Sequence, residues 1–141
     1  MSRGTERQQV RTILIIDEDR CIRLMLAEVV RCAGYSAVMA SCPDDALATT
    51  VGQRVDLIIA DVGSPEAKPA LRKFLAALNE RGQTVDVPVV LLTSAGHLLK
   101  ASELTGLGVQ LILSKPLSTR ELLADVAKLL DVTAASQQEA A

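Results

Sequence analysis

Aromatic side chains are nearly missing: the 141 residues hold one Tyr, one Phe and no Trp. Tyr35 and Phe74 are the only rings on which a base could stack, which argues against binding single strands by stacking. Basic runs are missing too, with 15 Lys and Arg spread among 17 Asp and Glu. A net charge of −2 disfavours sustained contact with a phosphate backbone, so no nucleic acid is expected as a partner. There is no stretch of 18 apolar residues and no signal-peptide pattern, so no membrane partner is expected and a cytoplasmic location is. Cysteines are few, and Cys21, Cys32 and Cys42 lack CxxC spacing. An odd number without that spacing argues against zinc or disulfide frameworks and suits core packing in a reducing compartment. No GxGxxG follows the first apolar run and no GKS or GKT occurs, so dinucleotide and P-loop readings lose their main support.

What the chain does have is aliphatic bulk, 49% apolar residues, in a length that suits one domain. Residues 1–11 are polar and read as a flexible N-terminal tail, residues 12–131 as the folded domain, and residues 132–141 as a flexible C-terminal tail. No second domain is visible in the sequence, so any output is expected to run through contact with another protein. Within the domain, apolar runs at 12–17, 36–40, 55–60, 87–92 and 109–113 have the length of strands. The segments between them have helical spacing. Ile22, Met25, Leu26, Val29 and Val30 define the first helix, which Gly34 stops. Ala46, Leu47 and Val51 mark a short second one. Leu71, Phe74, Leu75 and Leu78 mark a third, with Pro69 near its first turn. A fourth is expected around 97–106. In the last, Ser118 and Glu121 form a capping box, Leu117 and Leu122 a hydrophobic staple, and Leu122, Leu123, Val126, Leu129 and Leu130 a buried face. Strands alternating with helices imply an α/β, doubly wound (βα)5 three-layer sandwich around a five-stranded parallel sheet.

Sheets of this kind put their sites at the carboxyl ends of the strands. There the first strand delivers Asp17, Glu18 and Asp19, the third Asp61, the fourth Thr93 and Ser94, and the fifth Ser114, Lys115 and Pro116. Carboxylates held close together repel unless a cation compensates. Magnesium suits such a set, being a hard ion that takes one or two carboxylates plus phosphate oxygens. The backbone carbonyl of Gly63, two residues past Asp61, is expected to supply a further oxygen. With charge neutralised by the ion and by Lys115, the Asp61 carboxylate can attack phosphorus in line. Thr93 would donate its hydroxyl to a phosphoryl oxygen.

Blander roles compete for each residue. A strand-end aspartate often caps the next helix, which is an alternative for Asp17 or Asp19. A Thr after a strand is usually a local hydrogen bonder, and Lys115 alone reads as a solvated surface lysine. His97 reads as a surface residue at a helix start rather than a base. The convergence of four strand ends outweighs these individual alternatives.

With those stretches on the page, the chain resembles a response-regulator receiver domain of two-component signalling, with a CheY-like fold. The resemblance covers about residues 12–131. It rests on Ile13-Leu14-Ile15-Ile16-Asp17-Glu18-Asp19, on Asp56-Leu57-Ile58-Ile59-Ala60-Asp61 with Pro65 four residues on, on Pro88-Val89-Val90-Leu91-Leu92-Thr93, and on Lys115-Pro116. It implies strand order 2-1-3-4-5 and phosphorylation of Asp61 by a sensor histidine kinase or phosphotransfer protein. It also implies magnesium held by Asp17, Glu18, Asp61 and Gly63, a switch hydroxyl on Thr93, and a phosphoryl contact from Lys115. A separate downstream effector protein is the implied output. A homodimer through the face of the fourth and fifth helices is the family's usual self-contact. The Lys115–Pro116 peptide bond is commonly cis in the family, a cheap state for X–Pro.

The chain departs from the family pattern at several points. Glu18 stands where the acidic pair usually ends in Asp, and one extra methylene moves a carboxylate by about 1.5 Å. Ile112 stands where an aromatic usually swings inward on activation, and a β-branched aliphatic is stiff and has no hydroxyl. The loop from Gly63 to Pro69 lacks the usual Asp-Gly pair, and Ser94 replaces a small apolar residue. Glu18 and Ile112 support a rival reading, a phosphorylation-independent pseudo-receiver that serves as an interaction module. A small hydrolase is a third reading, disfavoured because no lid or substrate-pocket segment is visible.

Overall fold

Val, Ile and Leu dominate the short apolar runs, and in the computed structural model each run forms a strand. These are β1 (Thr12–Ile16), β2 (Ser36–Ala40), β3 (Leu57–Asp61), β4 (Val89–Thr93) and β5 (Val109–Ser114). The helices among the described residues are α1 (Arg20–Cys32), α2 (Pro43–Thr49), α3 (Ala67–Glu80) and α4 (Thr119–Ala140). The structure describes residues 10–61, 67–80, 87–93, 109–114 and 118–140. The helix expected around 97–106 lies outside them.

All strand pairs are parallel, in the order β2-β1-β3-β4-β5. This is the doubly wound sheet and the strand order expected from the sequence. Side chains alternate across it as strand geometry demands. Ile13, Ile15, Leu57, Ile59, Val90 and Leu92 pack with Leu26, Ala27 and Val30 of α1 and Leu122, Val126 and Leu130 of α4. Leu14, Ile16, Ile58, Ala60, Val89 and Leu91 pack with Ala46 of α2 and Leu71, Phe74 and Leu78 of α3. The three central strands are thus buried on both faces, which is why their sequences read as unbroken apolar runs. Each fully buried Leu, Ile or Val contributes about 1.5–3 kcal/mol.

Local signals account for both ends of α1 and the start of α4. Asp19 caps α1, its Oδ1 accepting from the amides of Cys21 and Ile22 at 2.9 and 3.2 Å. At the other end the Tyr35 amide donates to the Val30 carbonyl and the Gly34 amide to Arg31. Gly34 turns there with φ of +97°, a left-handed C-terminal stop that only glycine adopts without strain. Ser118 Oγ accepts from the Glu121 amide at 3.3 Å, the first half of the expected capping box. Leu117, the other half of the staple, lies outside the described residues.

Three expectations differ from the structure. β3 and β4 each begin two residues later than the apolar runs suggest and include Asp61 and Thr93. Pro88 has no amide to donate and precedes β4, while its carbonyl accepts from Ile58 at the start of the β3–β4 ladder. α4 continues through residues 132–140, where the sequence reads as a tail. Ala, Gln and Glu there have high intrinsic helix propensity. The cysteines do not serve the core: Cys21 and Cys32 are exposed and Cys42 is half-buried, and all are free thiols. Cys32 sits instead on the outer side of α1, its Sγ donating to Glu28 Oε1 at 3.6 Å.

Candidate functional site

The carboxyl edge of the sheet is aligned by contacts at its opposite edge. The Asp56 amide donates to the Thr12 carbonyl at 2.8 Å, and the Thr12 amide donates to Asp56 Oδ2 at 2.8 Å. Arg54 Nε pairs with Asp56 Oδ1 at 3.1 Å. From this reciprocal pair β1 and β3 run in step, Ile13 opposite Leu57 through Ile16 opposite Ala60. The next residues on the two chains are Asp17 and Asp61. Adjacent strands lie about 4.8 Å apart, so the backbones that carry these two carboxylates are neighbours.

Alternation gives both carboxylates the same phase. Asp61 follows Leu57 and Ile59, and Asp17 follows Ile13 and Ile15, all four of which pack towards α1 and α4. Asp61 is half-buried, whereas Asp17 is only 2% exposed. Burying a carboxylate is costly unless it is hydrogen-bonded, and Asp17 is bonded at several atoms. Its Oδ1 accepts from the Asp19 amide at 2.9 Å, its own amide donates to the Ala40 carbonyl at 3.1 Å, and its carbonyl accepts from Arg23 Nη1 at 2.8 Å. Its other carboxylate oxygen, Oδ2, is also buried.

On the next strand, Leu92 pairs with Asp61, and Thr93 is one residue further towards the edge. Thr93 is buried, 1% exposed, and pairs with Ser114 of β5. Its phase is that of Val89 and Leu91, so its hydroxyl approaches the Asp61 side only across the rim of the sheet. Gly63, Ser94, His97, Lys115 and Pro116 all lie outside the described residues.

The three acidic residues of the first loop divide their work. Asp19 is committed to the α1 cap, the role weighed for it in the sequence. Asp17 is buried with its Oδ1 bonded to the Asp19 amide, and Glu18 is exposed. Among the described residues, no three Asp, Glu, His or Cys side chains gather closely enough to ligate an ion between them. Asp17, Glu18 and Asp61 are therefore not brought together as one three-carboxylate cage. Magnesium needs no such cage, because it commonly binds one or two carboxylates and completes its octahedron with water and phosphate oxygens. Asp17 and Asp61, one residue past the last paired positions of β1 and β3, are oxygen donors of the type such an ion takes.

Ile112, opposite Leu91 on β5, is 37% exposed. No helix among the described residues is long and apolar enough to cross a membrane.

A parallel 2-1-3-4-5 sheet with Asp17 and Asp61 at the carboxyl ends of adjacent strands is the arrangement of a doubly wound α/β domain with its site at that edge. The chain belongs to the response regulator receiver domain family, whose model matches residues 13–127. Domains of this family act in phosphorelay signalling, generally take Mg2+ at their acidic site, and interact with histidine kinases and effector proteins. The chain is 33% identical over 132 residues to the phosphate regulon transcriptional regulatory protein PhoB of Pseudomonas aeruginosa, a match covering 92% of the chain and 56% of that protein. It is 32% identical over 127 residues to the transcriptional regulatory protein CpxR of Klebsiella pneumoniae, covering 90% and 52%. The chain thus spans about half the length of these curated relatives. Among solved structures it superposes on the chemotaxis protein CheY4 of Vibrio cholerae with a TM-score of 0.73 at 26% identity, covering 86% of this chain and 99% of that one. A receiver domain from Methanospirillum hungatei gives 0.74 at 20% identity, covering 91% and 99%, and shares the fold.

Two residues that shape the site escape a reading of the sequence. Asp56 aligns the strands from the far edge, and Arg23 holds the carbonyl of Asp17. The only signal for Asp56 is an acidic residue at the head of an apolar run. Arg23 gives none, because an arginine on an amphipathic helix normally faces solvent.

Proposed function

We propose that the domain accepts a phosphoryl group on Asp61 from a phosphohistidine donor, with magnesium, and signals through the resulting change in its surface. The observation that supports this most is the register that makes Asp17 and Asp61 neighbours at the carboxyl edge. In the transfer, an Asp61 oxygen bonds to phosphorus as the phosphorus–nitrogen bond of the donor breaks, and the imidazole leaves. Such transfer depends on alignment and on neutralising charge. A magnesium ion held by Asp17, Asp61 and the Gly63 carbonyl, with Glu18 acting through water, would supply much of that neutralisation. The Lys115 ammonium would meet the phosphoryl oxygens, and the Thr93 hydroxyl would bond one of them once the group has arrived. The donor would be a sensor histidine kinase or phosphotransfer protein, and the signal would pass to an effector by protein contact.

The test is incubation with Mg2+ and acetyl phosphate followed by intact mass. Wild-type protein gains one phosphoryl group, and Asp61→Asn gains none. An unlabelled wild type under saturating donor, or a labelled Asp61→Asn, contradicts the reading and favours a scaffold that binds its partner without phosphate.

A further inference from the structure

Resting on the phospho-acceptor reading, we infer that Arg23 is a positioning residue for the ion, acting through Asp17. Arg23 is half-buried in the first turn of α1. It is tied to the β1–α1 turn twice. Its amide donates to the Asp19 carbonyl at 2.9 Å, and its Nη1 donates to the Asp17 carbonyl at 2.8 Å. The second bond is charge-assisted and part-buried, so it is strong and directional. It fixes the plane of the peptide that joins Asp17 to Glu18. That plane sets the turn in which the Asp19 amide reaches and holds Asp17 Oδ1, and the direction in which the Glu18 side chain departs.

A guanidinium near an ion site has two effects of opposite sign. As a charge it repels the incoming cation, so its removal should tighten binding. As a clamp it pre-aligns the ligands, so its removal should loosen binding. The bond is made to a neutral carbonyl rather than to a carboxylate, and it is short and partly shielded from water. The exposed Arg20, three residues earlier on the same helix, brings a like charge without such a bond and serves as the control. We therefore expect the clamp to dominate. Groups that orient metal ligands typically change affinity by about 10- to 100-fold when they are removed.

The test is a Mg2+ titration of the full chain followed by amide chemical shifts, needing no phosphodonor. Arg23→Met is expected to weaken Mg2+ binding on the order of 10-fold. Arg23→Lys keeps the charge but loses the planar fork, and should fall between wild type and Arg23→Met. Arg20→Met should bind no more weakly than wild type. With acetyl phosphate, the Arg23 variants should need more Mg2+ for labelling yet reach the wild-type rate at saturation. A purely structural role would lower the melting temperature without moving that Mg2+ requirement. Wild-type or tighter affinity in folded Arg23→Met overturns the inference. Should Arg23→Met fail to fold, Arg23→Lys decides, since affinity equal to wild type overturns the inference and a several-fold loss supports it. A wild-type protein that binds no Mg2+ at all overturns the metal-dependent reading and this inference with it, whereas a wild type that binds Mg2+ and an Arg23→Met that binds it equally well overturn this inference alone.

Discussion

At the scale of single residues, three consecutive acidic side chains in one loop have three environments. Asp17 is buried and held at its amide, carbonyl and Oδ1, Glu18 is exposed, and Asp19 caps a helix. Sequence alone presents them as one acidic cluster, with capping an option for the first or the third. The option holds for Asp19, because a residue just before an amphipathic helix finds two free amides within reach. Replacing Asp19 by Ala should then cost stability and not chemistry. A loss of about 1 kcal/mol is expected, which lowers the thermal midpoint by about 3–5 °C in a domain of this size. Circular dichroism melts check the first part, and retained labelling of Asp61 by acetyl phosphate checks the second. Loss of labelling in a folded Asp19→Ala protein would place Asp19 among the groups that hold the ion.

At the scale of elements, the decisive relation is between the two edges of the β1–β3 pair. Asp56 and Thr12 exchange hydrogen bonds at the amino edge, and five residues later on each strand come Asp61 and Asp17. A slip of one residue would send each side chain to the opposite face and would separate the carboxylates. Asp56→Ala leaves the Thr12 amide without its carboxylate partner and should cost about 1–3 kcal/mol. Urea unfolding measures that cost, and amide exchange should show the protection of Ile13 and Leu14 falling before that of β4. Uniform loss across the sheet would mean that Asp56 contributes no more than general stability.

The strands themselves were legible because the central three are buried on both faces and read as unbroken aliphatic runs. Their starts are less legible, since Pro88 and Asp56 belong to the runs by position but bond at the ends of the ladders, just before the paired residues. The length of α4 was missed for a different reason. Its final residues have no apolar stripe, and helix propensity without periodicity leaves little pattern to read.

For the whole molecule, two cores sandwich one sheet, and the side that faces α2 and α3 depends on Phe74, the only Phe in the chain. Phe74→Ala should destabilise by about 3–5 kcal/mol, a large fraction of the roughly 5–15 kcal/mol typical of a domain. A fall in the urea midpoint of that size would confirm that this layer is close-packed. A small change would mean that α3 readjusts to fill the space. Asp17 and Asp61 share the phase of the opposite face, so a folded Phe74→Ala protein should still accept phosphate.

The family is legible in the sequence because separated apolar runs end in polar residues on one edge of the sheet. Asp17, Asp61 and Thr93 are buried or half-buried there as the pattern implies. The exposure of Glu18 and the clamp on Asp17 depend on the conformation of one turn, which no spacing encodes.

The most direct measurement of the central claim is the site of the acyl phosphate. Protein treated with acetyl phosphate and Mg2+ is reduced with borohydride, which converts a phosphorylated aspartate to homoserine, and is then mapped by tandem mass spectrometry. The account predicts homoserine at position 61, dependent on both donor and Mg2+. Homoserine at position 17 or 19, or none anywhere, would contradict it.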